Sequence, residues 1–125
     1  MALNDRQLKY NRSIKGICSR AAGYAKYRAK KKNLEYNIDT EYLISIYPKD
    51  HICPILGYKM EPYQGKAKGQ GKLSPSLDRI DPRQGYIKGN VEFVCGLANN
   101  MMSHAEGPDL IRFAKWIIKK YKIEE

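Results

Sequence analysis

The stretch SLDRIDPRQGYIKGNVEFV, residues 76 to 94, constrains the fold of this chain more than any other part of the sequence. Its two ends read as short β-strands, one around Leu77 to Ile80 and one from Val91 to Cys95, where apolar residues alternate. The residues between them, Asp81 to Asn90, contain the Pro and Gly residues typical of a tight loop. The stretch therefore predicts a compact strand–loop–strand unit that carries two aspartates.

A helix is predicted directly after the second strand, from Gly96 or Leu97 up to Gly107. Asp78 then lies near the end of the first strand, and Asn99 lies in the first turn of the helix. A carboxylate oxygen and an amide oxygen are hard ligands that suit Mg²⁺ or Mn²⁺. Two protein ligands also leave positions open for water and phosphate. The order of elements therefore predicts a divalent metal site formed by Asp78 and Asn99.

The charge of the chain is large and unevenly distributed. The net charge is +10, and ten basic residues lie in the first 32 positions, opposed only by Asp5. Such a field favours a polyanion, with nucleic acid as the first candidate. A solvated basic face is the alternative, and a membrane surface is disfavoured because bulky apolar anchors are missing. The residues expected to contact nucleic acid are Arg12, Lys15, Arg20, Lys26, Arg28, Lys30, Lys31, Lys32, Lys72 and Lys88.

The 125 residues are enough for one small domain. A basic helix with a narrow seam of small apolar residues is predicted from about Asn11 to Lys32, and Asp39 could cap a short helix that ends before Pro48. Residues 65–72 predict a flexible loop, and Asp109 to Lys122 predict an amphipathic packing helix. The sequence has no secretory segment and no apolar run of bilayer length, and its three cysteines are an odd number. These features favour an intracellular, soluble protein with free thiols and no membrane partner.

The residues SPSLDRIDPRQGYIKGNVEFVCGLANN resemble the HNH endonucleases with a ββα-metal fold, particularly the small phage and bacterial type with the SLDRID…GY…GNV signature. The resemblance extends from about Cys53 to Ser103. It implies an α+β fold with a ββα-metal core at 49–105, a basic helical region at 1–48 and a C-terminal helix at 106–125. It further implies a Mg²⁺- or Mn²⁺-dependent endonuclease that nicks or cleaves duplex DNA. Such an enzyme would be encoded by a phage or mobile element, homing enzymes among them, and would act in the host cytoplasm.

The resemblance also assigns roles to individual residues. Asp78 corresponds to the first metal ligand of the family and Asn99 to the last. Asn90 corresponds to the central Asn, whose amide ties the loop backbone together and holds the strands in register. Gly85 and Gly89 occupy loop positions where a side chain would be awkward.

The general base is not identified by the resemblance. The familiar members have His after the first ligand, and this chain has Arg79, which stays protonated and cannot accept a proton. Arg79 would instead clamp the scissile phosphate or orient an acid. Asp81 is the first candidate for the base. His51, His104, a substrate phosphate and a metal-bound hydroxide are the alternatives.

Some members of the family carry two Cys-x-x-Cys pairs that bind zinc. Here the corresponding segments are CPIL and CGLA, which leave only Cys53 and Cys95. Two thiolates do not complete a four-ligand site. We expect no structural zinc, with Leu56 and Ala98 packing in its place.

Two other functions are compatible with the sequence. A non-catalytic nucleic-acid-binding protein on a degenerate HNH scaffold is favoured by Arg79 and the missing cysteines, but the retained acids would then repel phosphate. An RNA-directed protein is allowed by the ten tyrosines, although Tyr42, Tyr47 and Tyr121 are expected to be buried on helix faces. The sequence leaves the oligomeric state open, and a homodimer is allowed.

Overall fold

The computed structural model describes residues 4–62, 71–103 and 105–122. Helices and strands occur in the order α1 Asp5–Arg12, α2 Ile14–Lys32, α3 Thr40–Ile46, β1 Pro75–Arg79, β2 Val91–Cys95, α4 Gly96–Met102 and α5 Gly107–Tyr121. This is an α+β arrangement, as predicted. Within these ranges, no helix combines the length and the apolar character that crossing a bilayer would take.

The N-terminal basic region forms two helices, where the sequence predicted one. Ser13 has an extended backbone between α1 and α2. Its hydroxyl donates to the Tyr10 carbonyl at 2.5 Å and accepts from the Gly16 N–H at 3.0 Å, so it both ends α1 and caps α2. The short helix α3 begins as predicted, because Asp39 accepts from the Tyr42 N–H at 2.8 Å.

The core forms around the seam of small residues on α2, as predicted. Those that are buried are Ile17, Cys18, Ala22, Ala25 and Ala29. The short side chains let α2 lie close to α3 and to the sheet. On the other side of the core, the buried Tyr47 ring meets Phe93 edge to face at 4.9 Å.

The two predicted strands pair antiparallel, with β2 at the predicted bounds and β1 displaced to Pro75–Arg79. Leu77 pairs with Phe93, and Asp78 pairs with Glu92. Because successive residues point to opposite faces, Phe93 lies on the core face, and Asp78 and Glu92 share the opposite one.

The cysteines of the CPIL and CGLA segments lie together in the core. The Cys95 N–H donates to the Cys53 sulfur at 3.3 Å, and both thiols are free and buried. Ala98 is buried and Leu56 packs against the same core. Both residues are therefore part of the apolar packing of the chain, and the expectation of no structural zinc stays a prediction.

The C-terminal part departs from the prediction in two ways. Helix α4 ends at Met102, because Ser103 has a positive φ of 38° and leaves the helical path. Helix α5 begins at Gly107 after a capping box formed by Glu106 and Asp109. None of its residues is buried, and Tyr121 is 62% exposed. A helix was predicted correctly here, but its predicted packing was wrong, because its apolar face lies outside the core.

Two further predictions concern loop and tyrosine positions. Most of the loop predicted at 65–72 lies outside the described residues. Tyr47 is buried, as predicted, and Tyr42 is half-buried.

Candidate functional site

Two carboxylates face each other on the outer face of the sheet. Asp78 of β1 lies directly opposite Glu92 of β2. Directly opposed residues in an antiparallel pair have Cβ atoms about 5 Å apart, and both side chains are half-buried. Helix α4 covers the same face, where the Asn99 amide donates to the Ser76 hydroxyl at 3.1 Å. We refer to Ser76, Asp78, Glu92 and Asn99 as the acidic face.

The electrostatics of this face disfavour the ionised state of both acids. Burial raises the pKa of Asp78, and the neighbouring Arg79 only partly opposes that effect. Burial also raises the pKa of Glu92, and the negative charge of Asp78 raises it further. A positive charge beside this pair would stabilise the ionised state of both carboxylates.

The donor set of the acidic face consists of two carboxylates and one amide. Among the described residues, no group of three or more His, Cys, Asp or Glu side chains could hold a metal ion. With the NH₂ group of Asn99 directed at Ser76, its Oδ1 is the atom that can serve as a ligand. One or two carboxylates with additional oxygen ligands are the usual protein contribution to a Mg²⁺ site.

Glu92 was missed in the sequence analysis. It lies within the run VEFVC, where the apolar alternation drew attention to its neighbours. The partner of Glu92 follows from the strand register. The Ile80 N–H donates to the Asn90 carbonyl at 2.9 Å, so β1 precedes Ile80 and β2 follows Asn90. Counting outward from Ile80 and Asn90 would have placed Glu92 opposite Asp78.

Asn90 holds the loop in the manner that the resemblance implies. Its side chain is buried, accepts from the Asp81 N–H at 2.8 Å, and donates to the Gly85 carbonyl at 2.8 Å and the Asp81 carbonyl at 3.1 Å. Gly89 has a φ of +88°, a conformation that favours glycine.

The loop also contacts the segment that follows α2. The Tyr86 N–H donates to the Glu35 carbonyl at 2.9 Å, and the Asn37 N–H donates to the Tyr86 carbonyl at 3.1 Å. A Cβ at Gly85 would lie 2.2 Å from the Glu35 carbonyl oxygen. The close approach therefore requires glycine at position 85.

Arg79 points away from the acidic face, because it follows Asp78 in the strand. Its guanidinium donates to the carbonyls of Pro82 at 2.8 Å and Gln84 at 3.2 Å, and lies 5.3 Å from the centre of the Tyr86 ring. In this arrangement Arg79 holds the loop. The phosphate-clamping role stays a prediction.

The structure does not bring Asp81 together with Asp78 and Asn99. The Asp81 carboxylate accepts from the Arg83 backbone at 2.9 Å and pairs with its guanidinium at 3.1 Å. These interactions hold the pKa of Asp81 below its usual value, which makes it a weaker proton acceptor. His51 is hydrogen-bonded to Tyr47 at 2.9 Å, and His104 lies outside the described residues.

An exposed stripe of basic and aromatic residues runs along α2, opposite its buried seam. Arg20, Tyr24, Tyr27 and Lys31 recur at helical spacing, and the two tyrosines are 62% and 61% exposed. Arg28 lies over the Tyr24 ring at 5.6 Å, and Lys31 lies over the Tyr27 ring at 5.9 Å. We call these five residues the basic–aromatic stripe.

The remaining predicted nucleic-acid contacts lie on α1, on α2 and outside the helices. The pKa of Lys32 is lowered, mainly by the charge of Arg28, then by burial and by the charge of Arg79, so the end of α2 lies near the end of β1. Lys72 and Lys88 lie over the rings of Tyr58 and Tyr42. The others are exposed on α1 and α2: Arg12, Lys15, Lys26 and Lys30.

The two strands and α4 define an α+β protein with a small strand–strand–helix unit. The structure is similar to a solved structure of the rare-cutting HNH restriction endonuclease PacI, for which a mechanism of DNA perturbation is described. The TM-score is 0.58 at 16% identity, over 83% of this chain and 78% of PacI. At this identity, the likeness concerns the fold of the two proteins alone.

Sequence comparison adds a relative from a phage. Over 81 residues, 65% of this chain, the sequence is 35% identical to an uncharacterized 29.0 kDa protein from the dda-modA intergenic region of Enterobacteria phage T4. The matched part spans 29% of that relative's length. A scan against models of known protein families finds no match.

Proposed function

We propose that this chain is a divalent-metal-dependent DNA endonuclease that hydrolyses phosphodiester bonds. The observation that carries the proposal is the pairing of Asp78 with Glu92 on one half-buried face beside Asn99. Bare acids would repel phosphate, whereas a cation bound between them would attract it. The HNH-like fold and the net charge of +10 support the same function.

The residues present fit a hard divalent cation, Mg²⁺ or Mn²⁺. Asp78 and the Asn99 amide oxygen would hold it, with Glu92 beside them. Such an ion stabilises negative charge on the phosphate and on the departing 3′ oxygen when bound.

In the proposed reaction the protein's own groups move the proton and hold the substrate. A water molecule attacks phosphorus, Glu92 accepts the proton of that water, and the bond from phosphorus to the 3′ oxygen breaks. The 3′ oxygen leaves with the electron pair of that bond and takes a proton from solvent, which gives a 5′ phosphate and a 3′ hydroxyl. Glu92 lies directly opposite Asp78 on the acidic face, whereas the Asp81 carboxylate is paired with Arg83, so Glu92 is the better-placed proton acceptor. The basic–aromatic stripe and the neighbouring lysines hold the phosphate backbone.

The decisive experiment is cleavage of supercoiled plasmid by the natural chain with Mg²⁺, Mn²⁺ or EDTA. The proposal requires nicking or linearisation with metal and none with EDTA. Cleavage that persists in EDTA would contradict it.

A binding-only function is the second candidate. The contacts of Arg79 with the loop and of Asp81 with Arg83 favour it, because they engage two residues assigned to the chemistry. Retention of duplex binding without cleavage under every metal condition would establish this function instead.

Metal-free stability offers a test of the acid pair. We expect Asp78→Asn to raise the melting temperature at pH 7. Because the pKa values of Asp78 and Glu92 are raised in the folded state, their ionisation costs stability as the pH rises from about 4 through those raised values. The neutral side chain removes this cost. Each 1 kcal/mol of unfolding free energy gained should raise the melting temperature by about 4 °C. Calorimetry should show a gain at pH 7 that shrinks towards pH ~4.

The same measurement with metal separates the site from a general salt effect. Mg²⁺ or Mn²⁺ should raise the melting temperature of the natural chain and of Glu41→Gln, which removes an exposed acid of α3. The melting temperature of Asp78→Asn should not respond. An equal metal response in Asp78→Asn would place the cation elsewhere.

The basic surface of α2 should set the salt dependence of duplex binding. Replacing Lys26, Lys30 and Lys31 together by glutamine should reduce the slope of log K against log salt by about 2.7, because each phosphate contact contributes about 0.9. Fluorescence anisotropy at several salt concentrations measures this slope. The matched control replaces Lys115, Lys119 and Lys122 and removes the same charge from the other end of the chain. An equal loss in both variants would indicate a net-charge effect only.

A further inference from the structure

Helix α5 presents a wide apolar face that the described part of the chain does not bury. Leu110, Ala114, Ile117 and Tyr121 form a central row at spacings of four, three and four residues. Tyr121 is 62% exposed, Ala114 is exposed, Leu110 and Ile117 are half-buried, and no residue of the helix is fully buried. The side chains of Ile111 and Ile118 widen the same face.

A second row borders the central one and carries charge at both ends. It consists of Asp109, Phe113, Trp116 and Lys120, again at spacings of four, three and four. Phe113 and Trp116 stack at 5.9 Å and are 55% and 51% exposed. The Lys120 ammonium lies 4.9 Å from the centre of the Trp116 ring. From the start of the helix to its end, the row therefore consists of an acid, two aromatic residues and a base.

This row is complementary to itself when the chain direction is reversed. Asp109 and Lys120 are eleven residues apart, so they lie on the same side of the helix and about 16 Å apart along it. In an antiparallel pair related by a two-fold axis, Asp109 of each copy faces Lys120 of the other, and Phe113 faces Trp116. A two-fold interface must be self-complementary in this manner.

We propose that α5 pairs antiparallel with α5 of a second copy of this chain. The apolar central rows then form the contact, and the small Ala114 near the middle lets the two helices approach. The charge complementarity at both ends favours this occupant over nucleic acid, whose charged phosphates would not cover an apolar row. The proposal goes beyond the nuclease function and does not depend on cleavage activity.

Charge-reversal variants test both the dimer and its direction. Asp109→Lys places like charges at both ends of the pair, and so does Lys120→Glu. Each variant alone should raise the dimer Kd at least about tenfold. An equimolar mixture of the two should form a heterodimer with a Kd near that of the natural chain, because opposite charges again face each other. Analytical ultracentrifugation measures the Kd values, and native mass spectrometry distinguishes the heterodimer by mass.

The double variant Asp109→Lys/Lys120→Glu controls for folding. Asp109 also accepts from the Glu106 N–H at 3.3 Å, so Asp109→Lys weakens the start of α5 in both the single and the double variant. The double variant should nevertheless dimerise as the natural chain does. A monomeric natural chain at high protein concentration would overturn the proposal. Single variants that dimerise unchanged, or a mixture and double variant that both stay monomeric, would overturn it as well.

Discussion

Asp78→Asn is expected to lower the rate of metal-dependent plasmid nicking by about a hundredfold or more while duplex binding is retained. The variant keeps the size and hydrogen-bonding capacity of the side chain and removes one of the two charges on the acidic face. The loss of several kcal/mol of transition-state stabilisation by a bound cation corresponds to a factor of this size. Single-turnover nicking and fluorescence anisotropy measure the two properties on one preparation.

Three further variants test whether a loss of nicking arises at the acidic face. Asn99→Ala should reduce nicking in the same way, because it removes the amide oxygen from α4. Glu92→Gln should reduce nicking and abolish the acidic limb of the pH–rate profile, as expected when the proton acceptor is removed. Glu41→Gln, an exposed acid on α3, should leave the rate unchanged. If Asp78→Asn nicks at the natural rate, the acidic face is not the active site.

Asn90→Ala is expected to lower the melting temperature by about 10 °C. The buried amide makes three hydrogen bonds to the backbone of the loop. The substitution leaves two carbonyls and one N–H without that partner, at a total cost of about 3 kcal/mol. Thermal and urea unfolding followed by circular dichroism measure the change.

Asn100→Ala is the matched control for this prediction. Asn100 is exposed on α4, so its loss should change the melting temperature by no more than about 2 °C. A destabilisation of Asn90→Ala as small as that of Asn100→Ala would mean that the loop does not rely on the amide. The strand register would then depend on apolar pairing alone.

Local signals predicted much of the fold. The bounds of β2 followed from the alternation of apolar residues, and the start of α3 followed from Asp39 as a capping residue. Both depend on a few neighbouring positions. The break at Ser13 is also local, but serine is common within helices and marks a break only when its backbone is extended.

The features that the sequence did not reveal depend on residues far apart in the chain. Glu92 acquires its partner through strand pairing, so only the register links it to Asp78. The amphipathic pattern of α5 showed that one face is apolar, and it did not show whether that face meets the core. The pairing of Asp81 with Arg83 is an exception, because a contact two residues away was open to prediction.

The hydrogen bonds between the loop and the segment after α2 have an evolutionary consequence. They join the N–H groups of Tyr86 and Asn37 to the carbonyls of Glu35 and Tyr86. Main-chain groups of this kind are present whatever side chains the positions carry, proline excepted. Apart from Gly85, where a side chain would collide with the Glu35 carbonyl, these positions can therefore change their side chains without changing how far the basic helix lies from the strand pair.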